Sequence, residues 1–157
     1  MNIVIVGLGV IGGSFAPALK QAGYGGVYGV DTNAETLEKA EKMGIIRKGC
    51  TEGKAFFPKA DLIILAIYPT LIRAFVEQNQ ALFKKGCIVT DTTGIKRPFI
   101  REITEALPEG VDFVFGHPMA GREKKGIDFA SAEVFKGANY LITPTERNKE
   151  SSLALVE

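Results

Sequence analysis

Short apolar runs alternate along the chain with stretches of helical or turn character. The runs Ile3–Val6, Val27–Val30, 62–67, 88–90, 111–115 and 140–142 are brief and mostly β-branched or aromatic, the composition of strands. Between them, 11–22, 34–43, 70–83 and 98–106 read as helices, with a shorter turn at 133–135. The strands are continuously apolar rather than alternating, which predicts burial on both faces, as in a parallel sheet covered by helices. This β-α-β-α rhythm, with no repeat and no long polar linker, predicts one doubly wound α/β domain over residues 1–157. Pro17, past the first turn of the first helix, is expected to kink it or remove a bond. Residues 146–157 read as a helix beginning that stops without a C-cap glycine or a following strand, the pattern of a fragment cut within a unit.

Composition narrows the class. With 157 residues, a net charge of +1, 46% hydrophobic and 24% charged residues, the chain has the profile of an ordinary globular protein. A chain of this size can bury roughly two-thirds of its unfolded surface. No apolar run approaches the roughly 18–20 residues that cross a bilayer, and Ile3–Val6 follows no basic segment, so neither anchor nor leader is expected. Near-neutral charge removes the electrostatic argument for nucleic acid. Cys50 and Cys87 are the only cysteines, with no C-x-x-C and no histidine cluster. They read as two small buried apolar residues in a reducing, cytoplasmic compartment, and no metal site is expected. Eighteen glycines cluster at 7–13 and 23–29, which points to tight turns.

The first cluster carries chemistry. Gly7-Leu8-Gly9-Val10-Ile11-Gly12 follows a strand, opens a helix, and precedes an acid, Asp31, at the end of the second strand. That context turns a weak glycine pattern into a dinucleotide-binding fingerprint of Rossmann type. Gly7 permits the tight turn, Gly9 admits the pyrophosphate, Gly12 lets helix and strand pack closely, and the helix N-terminus supplies N–H donors. A carboxylate at Asp31 accepts bonds from the ribose hydroxyls and repels a 2′-phosphate, so NAD is expected over NADP. The competing role for Asp31 is an N-cap on the helix that starts near Ala34. Ile67, Tyr68, Pro69 and Asp91, at later strand ends, are expected to line the same cofactor.

Ligands of such sheets bind beyond the carboxyl ends of the strands. His117, the only histidine, is expected just past an apolar strand, inside Gly116-His117-Pro118-Met119-Ala120-Gly121. An imidazole there can take a proton at neutral pH while hydride leaves the same carbon. Lys96, Arg97, Arg122, Lys124 and Lys125 flank the turns, and Lys96, Arg122 and Thr93 are the expected substrate contacts.

Together, Gly7–Gly13, Asp31, the 91–96 turn and above all the His-Pro-Met-Ala-Gly segment with Glu123 resemble the N-terminal domain of prephenate dehydrogenases, including the related arogenate dehydrogenases. The resemblance implies oxidative decarboxylation of prephenate to 4-hydroxyphenylpyruvate with NAD, in tyrosine biosynthesis. It also implies that His117 bonds the ring hydroxyl and takes its proton. Two departures stand out. Gly94 occupies the place where many members carry a serine that contacts the histidine and the substrate hydroxyl; either Thr92 or Thr93 substitutes, or the contact is absent. The family's helical C-terminal domain, which dimerises and completes the substrate site, is also absent from this chain, so the full-length protein is expected to be a homodimer through that domain. Arogenate dehydrogenase, another imine or hydroxyacid reductase, and a non-catalytic NAD(H)-sensing module remain the alternatives.

Overall fold

A computed structural model describes residues 1–96, 99–121 and 124–157. Strands β1 (Ile3–Val6), β2 (Val27–Val30), β3 (Lys48–Cys50), β4 (Leu62–Leu65), β5 (Ile88–Asp91) and β6 (Asp112–Pro118) pair in parallel, and β7 (Tyr140–Thr143) runs antiparallel to β6. Their order is β3-β2-β1-β4-β5-β6-β7. The order reverses between β1 and β4, which places the ligand crevice of such a sheet beyond the carboxyl ends of these central strands.

Successive strand residues feed opposite cores. Val4, Val6, Ile63, Leu65 and Val89 pack against α3 (Pro69–Asn79) and α4 (Ile100–Ala106) through Ile72, Val76 and Ile103. Ile3, Ile5, Leu62 and Ile64 pack against α1 (Val10–Gln21) and α2 (Ala34–Lys42) through Ala16, Leu37 and Ala40. Burial on both faces is why these strands carry no polar alternation.

Some boundaries differ from the sequence expectation, each for a local reason. α1 runs unbroken through Pro17, which forfeits only its own N–H bond. β3 has no apolar run to announce it; its Gly49 N–H donates to Glu41 Oε1 at 2.8 Å. β6 extends past Phe115 to Pro118 because β7 pairs with Phe115, Gly116, His117 and Pro118. The last helix, α5 (Glu150–Val156), begins later than residue 146, since Asn148 Nδ2 donates to Asp112 Oδ1 at 2.6 Å and to the Phe113 carbonyl at 2.9 Å, pinning the loop before it. Pro98 lies outside the described residues.

The two cysteines differ. Cys50 is only half-buried, and its thiol donates to the Glu52 carbonyl at 2.6 Å. Cys87 is buried beneath the sheet, and burial pushes its thiol from an ordinary 9.0 up to about 12. The folded state then keeps a proton that the unfolded chain releases, so Cys87 favours folding less as pH rises from 9.0 toward about 12. In urea unfolding, the stability difference between the protein and Cys87→Ala should shrink between about pH 8 and about pH 11; a difference flat in pH would refute this environment for the thiol.

Candidate active site

The glycine turn is shaped by two backbone crossings and one opening. Gly7 ends β1 at φ +86°, and a Cβ there would stand 2.5 Å from the Ala66 carbonyl oxygen. A Cβ on Gly12 would stand 1.8 Å from the Gly7 carbonyl oxygen, so only glycine lets α1 settle on β1. Gly9 is different: its φ is −70°, and a Cβ would meet nothing within 4 Å. Nothing in the fold demands glycine at position 9, and the space above it is the kind of room a pyrophosphate requires. Gly9 caps α1 without a side-chain bond, and the first turn of α1 holds no acid. The positive end of the helix therefore has no anionic side chain of its own. Leu8 and Val10 point into the core, with Ile11 half-buried beside them.

Asp31 ties this turn to β2. Its Oδ2 accepts the Leu8 N–H at 2.7 Å and its Oδ1 accepts the Asn33 N–H at 2.9 Å. Helix α2 is capped by Asn33 instead, whose Oδ1 accepts from Glu35 N at 2.9 Å and Thr36 N at 3.2 Å. The capping role weighed for Asp31 thus falls to its neighbour, and the Asp31 carboxylate stays partly exposed at the crevice. Beyond β4, Ile67 Cγ2 lies 3.0 Å from where a Gly7 Cβ would be, Tyr68 is 71% exposed as the N-cap of α3, and Pro69 opens that helix.

His117 lies within β6 rather than past its end, directly opposite Leu141 of β7. Opposite residues of an antiparallel pair share a face, and Leu141 is 50% exposed, so the half-buried imidazole stands on an open side of the ribbon. A Cβ on Gly94 would lie 3.3 Å from both Cε1 and Nε2 of the ring. Among the described residues the imidazole makes no hydrogen bond.

Three of the residues expected to contact ligand are engaged within the protein. The Asp91 carboxylate is fully buried and accepts from Thr93 N at 3.1 Å, Thr93 Oγ1 at 2.5 Å and Gly116 N at 3.2 Å. Lys96 is not a free cation for substrate. Its side chain is 10% exposed, and the three donors of its ammonium meet Asp91 Oδ2 at 2.5 Å, Gly116 O at 2.5 Å and Thr93 Oγ1 at 3.4 Å. Burial lowers its pKa, while Asp91 pulls in the opposite direction. Thr93 is buried with its hydroxyl on Asp91, and Thr92 Oγ1 donates to the Leu65 carbonyl at 3.4 Å. Neither threonine replaces a hydroxyl beside His117. Lys124 sits over the Phe129 ring at 4.7 Å. Arg97, Arg122 and Glu123 lie outside the described residues.

Tyr140 was not anticipated. Its hydroxyl lies 3.4 Å from both Thr90 Oγ1 and the Asp91 carbonyl, and burial raises its pKa. A Cβ on Gly116 would come within 2.2 Å of this hydroxyl, which explains a glycine immediately before the histidine. Sequence offers only that glycine as a signal.

The chain matches a family model described as prephenate dehydrogenase, nucleotide-binding domain, over residues 15–157. It is 30% identical over 155 residues to a prephenate dehydrogenase of Bacillus subtilis, covering 97% of this chain and 42% of that protein. A crystal structure of prephenate dehydrogenase from Aquifex aeolicus in complex with hydroxyphenyl propionate and NAD+ superimposes with a TM-score of 0.91 at 32% identity, over 99% of this chain and 55% of that one. Synechocystis arogenate dehydrogenase superimposes with the same TM-score of 0.91 at 31% identity, over 99% and 54%. The chain thus spans about two-fifths to just over half of the length of these relatives.

The contrast among the glycines is testable. Gly9→Ala should cost the fold no more than about 1 kcal/mol, the usual penalty for alanine at an N-cap, yet weaken dinucleotide binding about tenfold or more by filling the opening. Calorimetric titration alongside thermal unfolding checks both arms, and unchanged affinity would place the phosphates elsewhere.

Proposed function

We propose that this chain, which belongs to the prephenate dehydrogenase family as its nucleotide-binding domain, is the NAD-binding half of an enzyme that oxidatively decarboxylates prephenate to 4-hydroxyphenylpyruvate. One observation carries the reading most. The open glycine turn and a half-buried imidazole without a hydrogen bond among the described residues lie at the carboxyl ends of β1 and β6 in the same sheet. Those strands are three spacings apart, about 14 Å along one crevice.

The residues present fit a dinucleotide: Gly9 leaves room for phosphates, Leu8 to Gly12 open α1 toward them, and Asp31 offers a partly exposed carboxylate to ribose hydroxyls. NAD, when bound, supplies the hydride acceptor. The chain's own part is to orient and to move a proton. As hydride leaves the ring carbon of the substrate, Nε2 of His117 takes the hydroxyl proton. The bond to the ring carboxylate then breaks, carbon dioxide departs, its electron pair makes the ring aromatic, and the ring oxygen recovers the proton from His117 to give the 4-hydroxyphenyl product. Thr92 and Thr93 are engaged elsewhere and Gly94 has no side chain, so no hydroxyl of this turn shares that proton with His117.

The likeness to an arogenate dehydrogenase at equal TM-score favours a second reading in which arogenate is the substrate. The two differ in side-chain charge, and comparing turnover on both with the full-length enzyme separates them.

Two outcomes test the main reading. In the full-length enzyme His117→Asn should lower turnover by about 10²- to 10⁴-fold, the usual range for a general base, with NAD affinity changed less than about threefold. Turnover that survives this substitution would overturn the base assignment. Titrated calorimetrically into the 157-residue chain, NAD should bind at least about tenfold more tightly than NADP, because Asp31 repels a 2′-phosphate. Tighter binding of NADP would reverse the role given to Asp31.

A further inference from the structure

We propose that Asp91 and Lys96 act as positioning residues for His117, clamping the peptide groups of Gly116 so that the imidazole is presented in one orientation; this rests on the reading of His117 as the base. The backbone ladder between β5 and β6 ends at the pair Thr90 and Val114. From Phe115 onward the other edge of β6 is laddered to β7. On the β5 side, the segment that carries His117 is therefore held by side chains instead. Asp91 Oδ1 accepts the Gly116 N–H at 3.2 Å, and Lys96 Nζ donates to the Gly116 carbonyl at 2.5 Å. Both polar groups of one residue are gripped by a single ion pair, whose own contact is 2.5 Å.

The surroundings leave this grip little play. Thr93 donates to Asp91 Oδ2 through both its N–H and its hydroxyl, fixing the carboxylate. Tyr140 closes the space beside Gly116, where even a methyl group would come within 2.2 Å of its hydroxyl. The turn that supplies Lys96 also brings Gly94 against the ring of His117, so one segment touches both the imidazole and the backbone next to it. Neither charged side chain is exposed enough to serve substrate directly. Lys96 spends all three donors inside the protein, and Asp91 has no exposed surface. Sub-ångström errors in the placement of a general base are costly to turnover, while cofactor binding at the distant glycine turn is indifferent to them.

The test uses the full-length enzyme. Lys96→Met alone strands a buried carboxylate and risks misfolding, so the informative variant is Asp91→Asn with Lys96→Met, which buries no unpaired charge. This pair should lower kcat about tenfold or more while the KM for NAD moves less than about threefold. Lys96→Arg, which keeps the charge but not the compact three-donor ammonium, should recover part of that loss. Introduced into the His117→Asn background, the same pair should lower kcat less than about twofold further, because residues that act as one unit are not additive. A pair that retains kcat within about twofold of the unmodified enzyme, or an equally large loss in both backgrounds, overturns the clamp and leaves the base assignment standing. Full turnover by His117→Asn alone removes the base assignment and the clamp together.

Discussion

Helix α1 meets the sheet backbone to backbone. A methyl group on Gly12 would stand 1.8 Å from the Gly7 carbonyl oxygen, and one on Gly7 would stand 2.5 Å from that of Ala66. This approach fixes how low the first turn of α1 rides over β1 and β4, and through that where the positive end of the helix points. The hydrophobic stripe of α1 sets which face it covers, but its height is decided by missing side chains. Gly9, between the two crossings, is the one glycine of the turn with open space around it.

The far end of the crevice is organised by the opposite means. There the chain closes around a buried ion pair, with a threonine, a tyrosine and a glycine peptide arranged about it. Such a pair is poor evidence of net stability, since desolvation offsets much of its attraction, yet losing one partner of a buried pair costs about 3–5 kcal/mol. Its value lies in specificity of arrangement: a carboxylate that accepts three N–H or O–H bonds and an ammonium admits few alternative geometries. The two ends of the site therefore differ in kind, close backbone contact at one and a saturated polar cluster at the other.

Much of this was legible in the chain, and the parts that were not share a cause. β1 and β2 stand where their apolar runs lie, because strands buried on both faces must be apolar throughout. The glycine turn was readable because Gly7 and Gly12 each answer a local backbone constraint, with the open Gly9 between them. β3 was not, since Lys-Gly-Cys at an edge needs no apolar run. His117 was expected beyond its strand because Gly-His-Pro lacks strand character, and only the pairing with β7 draws it in. Asp91, Thr93 and Lys96 were rightly placed at a strand end, but spacing does not reveal which way a side chain turns. Polar residues near a crevice suggest ligand contact, and here they satisfy one another.

The division of labour between Asp31 and Asn33 has a consequence for how cofactor choice can drift. Because Asn33 caps α2, Asp31 is free of that duty, but it is not free altogether: it holds the Leu8 N–H at the mouth of the glycine turn. The carboxylate to which we assign discrimination against a 2′-phosphate also holds the glycine turn, through the Leu8 N–H. Replacing it to admit the bulkier nucleotide would loosen the turn for both nucleotides at once. On that assignment, a change of preference in this lineage is easier to reach through the exposed neighbour, Thr32, than through Asp31.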